Sequence, residues 1–256
     1  MAIDLLTFRH LLEINRDYPN IRNVLVLGRQ HFISPNPDAR TKRQMTVYQR
    51  MLEQFGHDLE IEKLIDSDGF CNSLFDFLGF KATDYMDVSE YEVANVIHDL
   101  NMNVPAYLHG KYDLVIDGGT IEHVFNVPAA FENVNNMLCV GGYFLAFNPC
   151  NNWVGHSFYQ FGPELVWSYW RSVQGYEVID CKINSMRDWF SKDAIHIEPR
   201  EARDMQRDND LRRQTLGEGI KLLIYLVKKQ SQETQATPAQ QSDYQHTWDE
   251  ADRQQG

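Results

Sequence analysis

Glycine and aspartate residues follow four apolar, strand-like segments of this chain, where such residues could bind a nucleoside. Gly28 ends NVLVLG, Asp87 follows DYM, Asp99 lies in NVIHDLN, and Asp117 and Gly118 end YDLVIDG. Because the carboxyl ends of parallel strands meet at one edge of a sheet, we expect these residues to line one elongated pocket. Carboxylates supply hydrogen-bond acceptors there, and glycine lets the backbone approach a ligand closely.

Each carboxylate has an expected partner in such a pocket. Two carboxylate oxygens match two vicinal ribose hydroxyls, so Asp87 is the candidate at the end of the second strand, with Asp84 as the alternative. Asp99, after the third strand, could accept from an exocyclic adenine amino group. A lone aspartate in such a place is more often a helix cap or a turn residue, so the prediction depends on joint placement.

Two histidines and a tyrosine could act on a second molecule bound beside this pocket. The pKa of histidine lies near neutral pH, which makes His123 and His156 candidate bases, with Tyr159 as an orienting donor. His156 and Tyr159 belong to the segment NNWVGHSFYQFGPELVWSYWR, which follows the fifth strand. A position in the core under a long loop is an equal alternative for these two residues.

The same segment contains other polar and aromatic side chains. Asn151, Asn152 and Gln160 are further candidate contacts to an acceptor, whereas Phe158 and Phe161 are predicted to be core residues. Glu122 could orient His123 or cap its helix. A metal site is disfavoured, because adjacent helical residues point about 100° apart and no third ligand stands at a recognisable spacing.

The elements that must position these residues alternate between strand and helix. Apolar residues at helical spacing in IDLLTFRHLLEIN, in 37–56 and in 120–137 predict helices, and short apolar runs between and after them predict strands. This order predicts an α/β fold, a Rossmann-like doubly wound, mostly parallel, seven-stranded sheet with helices on both faces. We expect one domain over 1–229, with an insertion or lid at 185–219, and a disordered polar tail at 230–256.

The segment 111–149, KYDLVIDGGTIEHVFNVPAAFENVNNMLCVGGYFLAFNP, resembles the fourth strand, following helix and fifth strand of class I S-adenosylmethionine-dependent methyltransferases. The shared pattern is an apolar strand after Tyr-Asp, then Glu-His-Val, a helix, Leu-x-x-Gly-Gly and a strand ending in Pro. The wider resemblance covers 23–182. It implies S-adenosylmethionine as cofactor, with Gly28 in the cofactor loop, Asp87 on the ribose, Asp99 near the adenine, and Asp117 and Gly118 beside the methionine part.

The loop after the first strand departs from the family pattern. The family usually has Gly-x-Gly there, whereas Gly28 is followed by Arg29-Gln30-His31. Arg29 therefore joins the predicted cofactor-binding residues, in an altered loop or beside an altered ligand pose. A nicotinamide cofactor would need Gly-x-Gly-x-x-Gly at this position, which is absent.

Composition narrows the class of acceptor. The formal net charge of −12 and the pI near 5.1 disfavour nucleic acid as a partner. Four scattered cysteines, no leader-like segment and no membrane-length apolar run predict a soluble, cytoplasmic protein with no membrane partner. The sequence thus predicts a methyltransferase acting on a hydroxyl or amine of a small molecule or sugar, with a homodimer left open. The alternative is a catalytically degenerate binding or scaffold module.

Overall fold

A single mixed sheet organises the chain, as seen in a computed structural model that describes residues 3–34, 36–197, 216–232 and 238–255. The sheet has the strand order β3-β2-β1-β4-β5-β8-β6-β7. The strands are β1 (Asn23–Leu27), β2 (Ala82–Asp87), β3 (Val96–Ile97), β4 (Tyr112–Asp117), β5 (Leu138–Asn151), β6 (Glu177–Ser185), β7 (Ile195–His196) and β8 (Lys221–Lys228).

Strands β1 to β6 all run in the same direction. Parallel pairs join β1 to β2, β1 to β4, β2 to β3 and β4 to β5. Strand β8 is antiparallel to both β5 and β6, which makes β5 and β6 parallel to each other. The order reverses between β1 and β4, and ligands bind at such a switch point in doubly wound sheets.

Helices cover both faces of the sheet. The α-helices are α1 (Leu5–Asp17), α2 (Ala39–Gln54), α3 (Asn72–Phe77), α4 (Val127–Met137) and α5 (Ser242–Gln255), and Leu165–Val173 forms a π-helix. Alternate residues of β1 belong to two hydrophobic cores, one on each face of the sheet. Val24 and Val26 pack in the core that contains α1 to α3. Leu25 and Leu27 pack in the core that contains α4 and the π-helix. The prediction of a Rossmann-like, mostly parallel, doubly wound sheet is confirmed.

Within the described residues the sheet has eight strands, whereas the sequence predicts seven. The additional strand, β7, is two residues long and pairs Ile195 with Ile183 and His196 with Lys182 at the edge of β6. It lies in the segment 185–219 predicted as an insertion or lid, of which 198–215 lie outside the described residues. A strand of two residues is too short to show the alternation of apolar and polar residues that predicts strands.

The segment predicted as a disordered tail, 230–256, contains the helix α5. Its first residue, Ser242, donates from its backbone N–H and its hydroxyl to Glu164 (2.7 and 3.2 Å), which ties the helix to the start of the π-helix. The composition of the segment does not reveal this contact. Among the helices of the described segments, none combines the length and apolar character needed to cross a bilayer.

Candidate functional site

The switch point brings Gly28, Asp87 and Gly118 to the same edge of the sheet. Leu27 is in register with Met86 on one side and with Asp117 on the other, so the three following residues are neighbours. Gly28 has φ +73° and donates its N–H to the Met86 carbonyl at 2.7 Å. This backbone conformation favours glycine and ends β1 with an open turn.

The side chain of Arg29, next to Gly28, is buried. It is 8% exposed, its guanidinium lies 3.8 Å from the ring centroid of Phe70, and Nη2 is 3.2 Å from Asp68 Oδ2. Nη1 donates to the Glu92 carbonyl at 3.3 Å. Arg29 thus joins the segment before α3 to the loop after β2, two walls of the expected cofactor pocket.

Gln30 occupies the place where the resemblance would put a second glycine. The side chain is 1% exposed, and Nε2 points at the carbonyls of Leu27 (3.4 Å) and Gly28 (3.3 Å). A Cβ added to Gly118 would meet Gln30 Oε1 at 3.0 Å, so the amide packs directly on that glycine. Gln30 Oε1 is buried without a hydrogen-bond partner among the described residues.

Asp87 and Asp84 differ in what surrounds their carboxylates. Asp87 is half-buried, and Oδ1 accepts from the Ser89 N–H at 3.0 Å. Both oxygens of Asp84 are engaged, with Lys111 Nζ at 2.7 Å from Oδ2, the Tyr112 hydroxyl at 2.8 Å from Oδ2, and Asn95 Nδ2 at 2.8 Å from Oδ1. Asp84 therefore fastens β2 to its neighbours, which leaves Asp87 as the ribose candidate.

Asp99 lies in an exposed turn two residues after β3. Its Oδ1 accepts from the backbone N–H and from the side-chain amide of Asn101, at 2.9 and 2.7 Å. These hydrogen bonds lower the pKa of Asp99. The local contacts are those of a turn residue.

Asp117 has no exposed surface, and both of its carboxylate oxygens are bonded within the protein. Oδ1 accepts from the backbone N–H groups of Gly119 (3.1 Å), Thr120 (2.7 Å) and Ile121 (3.4 Å). Oδ2 accepts from Asn148 Nδ2 at 2.7 Å. Burial raises the pKa of Asp117. In this arrangement Asp117 shapes the turn, and the half-buried Gly118 that follows it lies against the Gln30 amide.

A second buried carboxyl group lies next to Asp117. Glu122, in the 310-helix Ile121–His123, is 1% exposed, and Asn148 Nδ2 lies 3.4 Å from its Oε2. Burial, followed by the nearby charge of Asp117, raises the pKa of Glu122 to about 8. Asn148, on β5, thus bridges the two acids. The sequence signal that could have revealed this bridging role is the polar Asn148 inside the apolar run YFLAFNP.

His123 and His156 come together above the ends of β4 and β5. Their ring centroids are 4.9 Å apart, the ring planes are inclined at 66°, and both side chains are exposed. Partial burial and the neighbouring His156 lower the pKa of His123. Tyr159 is half-buried and donates its hydroxyl to the Phe125 carbonyl at 2.8 Å. The structure therefore gathers the three predicted catalytic residues in one place.

Aromatic residues lie two positions after each histidine of the pair. Phe158 is 66% exposed, so its prediction as a core residue is wrong, whereas Phe161 is buried as predicted. Phe158 packs at 5.6 Å on Phe125, which is itself 70% exposed. The loop residues Asn152 and Gln160 bond within the protein, to the Gly219 carbonyl (2.7 Å) and the Trp153 N–H (3.2 Å). An apolar rim thus adjoins two imidazoles.

Glu122, His123 and His156 also form a possible cation-binding set. One ligand atom from each lies within 4.8 Å of the other two. The sequence, in which no third ligand stands at a recognisable spacing, predicts no metal site. The fold supplies His156 from a loop 33 positions further along the chain, which spacing alone does not disclose.

No family model and no curated protein matches the sequence. Solved structures similar to this one include 1,6-didemethyltoxoflavin-N1-methyltransferase from Burkholderia thailandensis, at 10% identity and TM-score 0.43 over 88% of this chain and 78% of that chain. The N-methyltransferase NodS from Bradyrhizobium japonicum WM9 has 11% identity and TM-score 0.42, over 88% and 86%. A SAM-dependent methyltransferase from Archaeoglobus fulgidus has 13% and 0.42, over 86% and 94%. Likenesses at this level do not assign a family or a ligand.

Proposed function

We propose that this protein is an S-adenosylmethionine-dependent methyltransferase acting on a hydroxyl or amine of a small molecule or sugar. The observation that carries the proposal is the placement of Gly28 between Asp87 and Gly118 at the switch point of a Rossmann-like sheet, where such folds bind nucleotides. The histidine pair stands over the neighbouring strand ends. One edge of the sheet thus offers a nucleoside pocket and a proton-accepting group beside it.

In the proposed complex, each predicted cofactor residue has a distinct task. Asp87 accepts from the ribose hydroxyls and Asp99 from the adenine amino group. The backbone at Gly28 and Gly118 lies along the methionine part, since neither position carries a side chain. Arg29 holds the pocket walls through Asp68 and Phe70. Asp117 acts through the turn that it organises rather than through direct contact.

Methyl transfer is an in-line displacement in which the acceptor atom bonds to the methyl carbon as the carbon–sulfur bond breaks. The main contribution of the protein is to align acceptor, methyl and sulfur. An acceptor hydroxyl or ammonium must also lose a proton, and an imidazole of His123 or His156 accepts it. Because Tyr159 donates its hydroxyl proton to the Phe125 carbonyl, it can orient the acceptor through its oxygen and not as the donor that the sequence predicts. The exposed rings of Phe125 and Phe158 favour an acceptor with an apolar or ring-shaped part.

A calorimetric titration with S-adenosylmethionine tests the proposal. We expect binding by the unaltered protein and at least tenfold weaker binding by Asp87→Ala, about 1.4 kcal/mol, because a carboxylate accepting two hydroxyls makes two charge-assisted bonds. Asp58→Ala is the matched control, an exposed acid in the loop after α2. Absence of heat in the unaltered protein, at several temperatures, would remove the proposal.

A catalytically degenerate binding or scaffold module is the second candidate, and Gln30 is the observation that favours it. The buried amide rests on Gly118, in space that the methionine part of the cofactor would use. If Gln30 closes the pocket, Gln30→Gly should create cofactor binding that the unaltered chain lacks. If the pocket is open, the unaltered chain binds and Gln30→Gly changes affinity only modestly.

We also propose a cytoplasmic location for the protein. Cys71, Cys139 and Cys150 are free thiols, which is consistent with the cytoplasm. The homodimer stays a prediction, which light scattering of the purified protein would check.

A further inference from the structure

Three side chains beside the sheet edge place their ligand atoms close to one another. Glu122 and His123 lie on the 310-helix after β4, and His156 lies in the loop after β5. Their ligand atoms are all within 4.8 Å of one another. Two imidazoles and one carboxylate are a donor set that divalent transition metals accept, with coordination positions left for water or substrate.

Contacts between the two segments hold these donors together. The Glu122 carbonyl accepts from the backbone N–H groups of Phe158 (3.1 Å) and Tyr159 (3.3 Å), which fixes the loop bearing His156 against the helix bearing His123. Trp153 packs on the His156 ring at a centroid distance of 4.6 Å. A metal–ligand bond of about 2.1 Å brings ligand atoms to roughly 3.5 Å apart, so the exposed rings need only a small inward rotation.

Two buried acids without a lysine or arginine partner in the described residues also favour a cation. Glu122 and Asp117 are buried carboxyl groups that share the amide of Asn148. Across the described part of the chain, no ion pair links either acid to a lysine or arginine. Buried carboxylates are usually paired or coordinate a metal, and the net charge of −12 raises the cation concentration near the surface.

We propose that Glu122, His123 and His156 bind one divalent transition-metal ion, of which Zn²⁺ is the representative. The inference goes beyond the methyl-transfer proposal and does not depend on it. An ion at this point engages the lone pairs of both imidazoles. Cation binding therefore competes with their use as proton acceptors, and the ion offers instead a Lewis acid at the same position.

The test is a titration of the full, tag-free chain, previously dialysed against a chelator, with Co²⁺ followed by visible absorption, and then with Zn²⁺ as competitor. We expect one Co²⁺ with ligand-field bands that Zn²⁺ abolishes. His123→Ala and His156→Ala should each weaken Co²⁺ binding at least about tenfold, since each removes a ligand. His57→Ala, which removes an imidazole near α2, should bind as the unaltered protein does.

Two results would overturn the inference. One is the absence of Co²⁺ bands in the unaltered protein, and the other is equal Co²⁺ affinity in the unaltered protein, His123→Ala and His156→Ala. Circular dichroism establishes that the variants fold, and the exposure of both histidines makes loss of the fold unexpected. If an alanine variant nevertheless unfolds, His156→Gln keeps the side-chain bulk while removing the imidazole.

Discussion

Replacing Asp117 with alanine should destabilise the protein strongly, because this carboxylate organises the turn after β4. The substitution leaves the N–H groups of Gly119 and Thr120 without their acceptor and removes the long bond from Ile121. The Asn148 amide loses its 2.7 Å bond and keeps only the 3.4 Å contact with Glu122. Each buried donor left unpaired costs about 1–3 kcal/mol. Relief of the burial that raises the pKa of Asp117 offsets part of this cost. The expected loss is about 3–4 kcal/mol in the free energy of unfolding.

Urea denaturation followed by circular dichroism measures this loss, and thermal unfolding should show a fall in Tm of about 10 °C for a chain of this size. Asp99→Ala is the matched control, because its two bonds to Asn101 lie in an exposed turn where water replaces them. The control should stay within about 0.5 kcal/mol of the unaltered protein. A loss below about 1 kcal/mol in Asp117→Ala would refute the assignment of Asp117 to the turn.

Further predictions concern acid stability and the pocket. Burial, followed by the charge of Lys182, lowers the pKa of His10 to about 3. As pH falls below about 6.5, His10 therefore becomes protonated in the unfolded chain but not in the folded protein, and stability is lost. Between pH 7 and pH 5 the free energy of unfolding should fall by about 2 kcal/mol because of His10. In His10→Leu, urea denaturation at several pH values should show that this pH dependence is lost. An unchanged pH dependence would contradict the prediction. Gly118→Ala should weaken cofactor binding at least about tenfold by calorimetry, because its Cβ would enter the space proposed for the methionine part. The Cβ would also stand 3.0 Å from Gln30 Oε1, so the amide must give by a few tenths of an ångström. Equal affinity in Gly118→Ala would show that the methionine part lies elsewhere.

The sheet was predictable because its central strands are buried on both faces. NVLVLG and LLIYLV are short runs of aliphatic residues, and the helical segments between strands repeat their apolar residues every three to four positions. The edges of the fold carried no comparable signal. Strand β7 consists of two residues on β6, and α5 depends on contacts of Ser242 with Glu164.

The meeting of Gly28, Asp87 and Gly118 at one edge of the sheet was predictable, but the hydrogen bonds of the aspartates were not. Asp87 and Asp117 both end strands and look alike in the sequence. Only the fold shows that the backbone wraps around Asp117 and that Asn148, 31 residues away, completes its hydrogen bonds. The contact of Gln30 with Gly118 likewise joins two loops that are far apart in the chain, so no local pattern reveals it.

Hydrogen exchange with and without S-adenosylhomocysteine tests the central claim most directly, because it reads binding and its place together. We predict slower amide exchange at 27–31, 86–99 and 117–122, the ends of β1, β2 and β4 with the loops that follow them, and unchanged exchange in Lys221–Lys228 of β8. Protection confined to other segments, or none at a saturating concentration of ligand, would contradict the claim that this edge of the sheet binds the cofactor.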